Sequence, residues 1–83
     1  MKLPKLKKED IVEVNWIDIT TTSSWKTLEE AECYIAITAH SVGYFINGDD
    51  DVIRISASKT DEGDRDVTVI VKGCIKSISK LKR

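Results

Sequence analysis

Residues 52–58, Val52-Ile53-Arg54-Ile55-Ser56-Ala57-Ser58, decide the fold class. Ile53, Ile55 and Ala57 fall on one face and Arg54, Ser56 and Ser58 on the other, the period of two expected of a two-faced antiparallel strand. Upstream, Val42, Tyr44 and Ile46 predict a strand that runs into Asn47-Gly48, a dipeptide that readily takes positive φ, and Asp49, Asp50 and Asp51 extend the turn. Downstream, residues 60–66 with Gly63 read as a polar hairpin loop. Val67, Val69 and Val71 are then expected to form the next inward face, and Ile75, Ile78 and Leu81 finish the chain.

Working back toward the N-terminus, Ile11, Val12, Val14 and Trp16 with the interleaved Glu13 and Asn15 predict a half-buried first strand. Residues 20–24 are five small hydroxyl side chains, which compete for backbone hydrogen bonds and so favour a loop. Thr27 followed by Glu30 fits a capping box and predicts a short helix from Leu28 to Glu32. A second strand is expected over residues 33–38, separate from the strand through Val42. Strands at this rate, with one capped helical turn and no βαβ spacing, give an all-β class with one short helix: a small, strongly bent antiparallel sheet or barrel. Residues 1–10, with the single proline Pro4, are expected as a basic N-terminal arm, and residues 11–83 as one small β-barrel domain.

A chain of 83 residues buries only about 60 % of the surface that its unfolded form exposes, so a homo-oligomer is expected to add core. The formal net charge is −1, but the charges are segregated. Lysines crowd both ends, and acidic residues dominate 49–51 and 61–66. Cys33 and Cys74 are the only thiols, too few for an extracellular disulfide framework. MKLPKLKKED at the start has no apolar core segment, and no stretch approaches the roughly 20 apolar residues of a membrane span. The expectation is a cytoplasmic protein with free thiols, packed as small core residues, and no membrane association.

Two resemblances add to this reading. Gly43-Tyr44-Phe45, the acidic turn, Val52-Ile53-Arg54-Ile55, and Lys72-Gly73 leading into Cys74-Ile75 resemble the Sm-like or SH3-like small barrel, in which a glycine opens a bent strand and a basic-glycine step precedes the last one. That likeness spans roughly residues 42–81 and implies a barrel and an RNA-binding ring; the Sm asparagine that contacts RNA has no clear counterpart here. Over nearly the whole chain, Val14-Asn15-Trp16-Ile17-Asp18, Trp25-Lys26-Thr27-Leu28, Ser41-Val42-Gly43-Tyr44 and Val71-Lys72-Gly73-Cys74-Ile75 resemble small uncharacterised β proteins encoded by bacteriophages. Ser24 stands where a glycine often precedes the second tryptophan, and Val71 where a proline is common. This likeness implies a phage accessory protein in a host bacterial cytoplasm.

His40 is the only histidine and has no motif around it, so no catalytic residue is assigned and an enzyme is not expected. Cys33, His40 and Cys74 lack the paired spacing of a zinc site, Asp49 to Asp51 lack the alternation of a calcium loop, and the four glycines are dispersed. No metal and no cofactor is expected. Trp16, Trp25, Tyr34, Tyr44 and Phe45 are expected to share the small core. A tryptophan left exposed would offer a face to a base, with the hydroxyl loop on phosphate or ribose and nearby cations as counter-charge. The candidate ligand-binding residues are therefore Trp16, Asp18, Thr20, Ser23, Ser24, Trp25, Tyr44, Arg54 and Lys72. The function expected is non-catalytic sequestration of a small anionic or nucleotide-like ligand, such as a host-defence signal. The alternatives are an Sm-like RNA-binding ring and a protein-interaction module that inhibits a host protein.

Overall fold

The computed structural model describes residues 3–18 and 25–82. Five strands form one antiparallel sheet: β1 (Ile11–Asp18), β2 (Ile37–Gly48), β3 (Val52–Ser56), β4 (Thr68–Val71) and β5 (Ile75–Lys80), in the order β4-β3-β2-β1-β5. A helix of one turn, α1 (Leu28–Glu32), lies between β1 and β2, and a 3-10 turn, Lys72–Cys74, joins β4 to β5.

That last connection dictates the shape. β4 and β5 are the two edges of the sheet. In a flat five-stranded sheet with strands ~4.8 Å apart, the edges lie ~19 Å from one another. The four residue steps from Val71 to Ile75 reach at most ~14 Å even when fully extended, and here they are wound into a turn. The sheet therefore curls strongly and brings its edges toward each other. Trp16, Ile17 and Asp18 of β1 accordingly line one groove with Val69, Ile70 and Val71 of β4, although two strands separate β1 from β4 in the ladder.

β2 makes the bend. It pairs with β1 from Ile37 to Tyr44 and with β3 from Tyr44 onward, changing partner beside Gly43. A Cβ on Gly43 would lie 2.7 Å from the Ser56 carbonyl oxygen, so the close approach of the two backbones requires glycine there. The strands expected over residues 33–38 and from Val42 onward are not separate: β2 runs unbroken from Ile37 to Gly48, and residues 33–36 belong to no strand. His40 and Ser41 read as a break because they are polar, but each has a cross-strand partner: His40 faces Asn15, and Ser41 accepts the indole N–H of Trp16.

The core consists of Val12, Val14, Ile53, Ile55, Ile70 and Ile75, with Leu3, Leu6, Trp16, Phe45 and Ile78 packed against it. The N-terminal segment is tied on by backbone bonds between Glu9 and the Phe45 carbonyl and between the Phe45 N–H and Asp10. On β4 the inward residue is Ile70, whereas Val67, Val69 and Val71 are about half exposed. The inward face expected from the valines is therefore the outward one. The register explains it: Ile70 sits opposite Ile53, and Val69 opposite Arg54. Asn47-Gly48 also does not turn on a positive φ; among the described glycines only Gly63 has one, at 98°. Cys33 lies exposed at the end of α1 rather than in the core.

Residues 25–38 are all exposed. α1 has the expected capping box, the Thr27 hydroxyl accepting from the Glu30 N–H and the Glu30 carboxylate accepting from the Thr27 N–H, yet it buries nothing. Residues 25–36 of the β1–β2 connection thus form an arm that buries none of its side chains. The fold measures 49 × 30 × 24 Å with a radius of gyration of 15.7 Å, against about 12 Å for a compact chain of this length.

Candidate functional site

β1 carries Val12, Val14 and Trp16 inward in succession. At Trp16 the strand leaves the closed part of the core, so the indole is only half-buried, and its Nε1–H is fixed by a 3.0 Å bond to Ser41 Oγ. Two residues on, Asp18 ends β1 opposite Ile37 with its side chain exposed. Across the open end of the curl stand Val69, Ile70, Val71 and Cys74, which close a groove of about 180 Å³. Lys72 follows the lining residue Val71; its N–H donates to the Asp51 carbonyl at 2.8 Å, which anchors the turn that carries the ammonium. The groove is an apolar slot lined by an indole and a carboxylate-bearing residue, with Lys72 next in the chain to one of its walls.

Of the residues proposed from sequence, Trp16 and Asp18 meet here, with Lys72 adjacent. Trp25 is elsewhere: it stands on the arm, fully exposed, rather than in the core. Tyr44 lies beneath Lys59, whose Nζ is 4.5 Å from the ring centroid. Arg54 bonds Asn47 Oδ1 at 3.1 Å and Asp49 Oδ2 at 3.3 Å, bracing the β2–β3 turn. Thr20, Ser23 and Ser24 lie outside the described residues. The contribution of β4 to the groove had no signal in the sequence, because Val69 and Val71 are 53 and 55 positions from Trp16 and only the curl unites them.

Two polar clusters lie away from the groove. Glu9, in the left-handed region at φ 73°, accepts from Arg65 Nη1 at 2.7 Å and from Lys59 Nζ. These hydrogen bonds, with Arg65 the larger contributor, hold its carboxyl well below the usual range, at about 2. The second cluster is a row across three strands: Ser77 of β5, Asn15 of β1 and His40 of β2. Asn15 Nδ2 donates to Ser77 Oγ at 2.9 Å, and its Oδ1 meets His40 Nδ1. Nδ1 is therefore the protonated nitrogen. Asn15 stands between serine and histidine, so this row contains no hydroxyl-to-imidazole bond of the kind that activates a nucleophile.

The acidic turn is internally employed. Asp49 Oδ1 accepts from the N–H groups of Asp51 and Val52 at 2.8 and 3.0 Å, and these bonds lower its pKa. Among the described residues, no three His, Cys, Asp or Glu side chains gather as a metal site would require, and no helix is long and apolar enough to cross a membrane. Compared with protein-family models, curated proteins and solved structures, the chain matches none.

Proposed function

We propose that this protein acts by binding, without catalysis, and that the groove at the open end of the sheet takes the planar part of a small anionic, nucleotide-like ligand. The observation that carries this reading is the convergence of Trp16 and Asp18 with β4 around one apolar slot, Lys72 following the lining residue Val71 in the chain. At about 180 Å³ the slot is smaller than the 300–1,000 Å³ typical of whole-ligand pockets, so it suits a single ring system rather than an entire nucleotide. The indole supplies a stacking wall, Asp18 an acceptor for ring N–H groups, and Lys72 a cation for a phosphate left outside the slot. The resemblance to phage-encoded proteins supports a host signal molecule as the ligand. Titration calorimetry with a panel of nucleotides tests this reading. Binding is expected in the wild type and lost in Trp16→Ala, with Lys72→Ala weakening phosphorylated ligands only. No binding across the panel, or equal binding in all three proteins, overturns it.

A second reading, docking onto another protein, is favoured by a different observation. Among the described residues eleven large apolar side chains are exposed, against six buried in the core, and five of the eleven fall within residues 25–37, on the arm and the first residue of β2: Trp25, Leu28, Tyr34, Ile35 and Ile37. Exposed aromatic and aliphatic anchors of this kind are the usual centre of a protein interface.

A further inference from the structure

The arm and the β4–β5 surface are complementary in charge, and one copy of the chain does not bring them together. Residues 25–37, the arm and the first residue of β2, carry Glu29, Glu30 and Glu32 against the single Lys26. Tyr34, Ile35 and Ile37 line a shallow concavity there together with Glu30. Opposite in character, residues 67–82 carry Lys72, Lys76 and Lys82, with Lys80 paired to Asp10 at 3.5 Å, and no acidic residue of their own, alongside the exposed Val67, Val69 and Val71. α1 buries no residue, and Trp25, Leu28 and Ile35 are 101 %, 76 % and 76 % exposed, so the arm is not folded back onto this strip.

We propose that the occupant of the arm is a second copy of this chain, and that the acidic, apolar arm of one copy docks on the basic, valine-lined β4–β5 surface of the other. Each copy presents both halves of the contact. Reciprocal docking about a two-fold axis therefore satisfies both arms at once and leaves no unfilled surface to propagate. The association covers apolar groups that an 83-residue chain has too little interior to bury. Oppositely charged patches set the orientation, and their attraction weakens with salt. The docking surface shares Val69 and Val71 with the groove wall but not Trp16 or Asp18, so the substitutions that test it are placed on the arm and at Lys76 and Lys82, outside the groove.

The test is the mass of the full chain by native mass spectrometry and light scattering at micromolar concentration. The wild type is expected to be oligomeric. Leu28→Asp with Ile35→Asp should give a monomer with an unchanged far-ultraviolet spectrum, since neither residue belongs to the core. Glu29→Lys with Glu32→Lys, which spares the capping Glu30, should raise the dissociation constant at least about tenfold. Lys76→Glu with Lys82→Glu should do the same, and an equimolar mixture of the two charge-reversed proteins should re-associate as a mixed oligomer. A monomeric wild type, an oligomer indifferent to the arm substitutions, or charge-reversed proteins that fail to re-associate would each overturn the inference. Nucleotide titration of the Leu28→Asp, Ile35→Asp protein, whose groove residues are unchanged, separates failure of the ligand reading from failure of this one.

Discussion

Arg65 Nη1 donates to Glu9 Oε1 at 2.7 Å, joining two residues 56 positions apart and fastening the N-terminal turn to the loop between β3 and β4. Because Glu9 is partly solvated and also held by Lys59, the pairing shows itself best through acid sensitivity. Its folded pKa of about 2 lies below the ordinary 4.5. A depressed carboxyl stabilises the fold fully above the unfolded value and loses that contribution as pH falls through the folded one. Glu9→Gln should thus flatten the acid limb of stability between about 4.5 and about 2. Arg65→Gln raises the folded pKa toward 4.5, so it should shrink the acid limb and end it at higher pH while the onset stays near the unfolded value. Urea midpoints across this range, each variant against wild type, read the difference directly; identical acid limbs would mean that the pairing contributes nothing to stability.

The orientation of β4 makes a second prediction. Ile70 is 2 % exposed and faces Ile53, so Ile70→Ala should cost about 2–5 kcal/mol. Val69 is 54 % exposed, and Val69→Thr should change stability by less than about 0.5 kcal/mol. Chemical denaturation of the two variants distinguishes this register from one slipped by a residue, which would reverse the ranking.

That strand also shows where sequence reasoning reached its limit. The alternation in β1, and in β3 as far as Ile55, was readable because one parity is polar: Glu13 and Asn15 interrupt Val12, Val14 and Trp16, and Arg54 separates Ile53 from Ile55. Beyond Ile55 the expected faces are reversed, since Ser56 is buried, its hydroxyl bonded to Asp66 and to the Ser58 carbonyl, and Ala57 is exposed. In Val67-Thr68-Val69-Ile70-Val71 the odd positions are all valine and the even ones include isoleucine, so pattern alone favours the wrong face. Pairing with β3 decides it, and pairing is not written in the strand itself. The α1 cap was legible because its signal is local, three residues from donor to acceptor. The groove was legible only on its β1 side, since the other wall arrives through the curl.

Gly43 supplies a third prediction. A methyl group there meets the backbone of Ser56, which cannot rotate away as a side chain would. Gly43→Ala should destabilise the fold by about 1–3 kcal/mol or more. Gly73, where an added methyl group would have no neighbour within 4 Å, should accept alanine with little change. Thermal melts of the pair separate the demand for close approach from a general intolerance of substitution.

Loss of the α1 cap should be felt locally and not globally. Thr27→Ala removes the acceptor for the Glu30 N–H and should cost the helix about 1 kcal/mol. Because α1 buries nothing, the unfolding midpoint of the sheet should hold while amide exchange of residues 30–33 accelerates. A lowered global midpoint would show that the arm is part of the cooperative unit.

β1 is flanked on one side by β2 and on the other by β5, and Asn15 reaches across to Ser77, 62 positions later. This interior strand therefore waits for the last one. At ribosomal rates of about 5–20 residues per second, roughly 3–12 s separate the synthesis of β1 from that of its second neighbour. Throughout that interval Val12 and Val14 lack their β5 cover, and the nascent chain offers an open edge to any chaperone or stray strand nearby. Even in free solution, a topology governed by such distant pairings folds in milliseconds to seconds rather than microseconds. The vulnerability of this small protein lies in the making of it, and a substitution in residues 75–80 should lower its yield in cells more than its melting temperature.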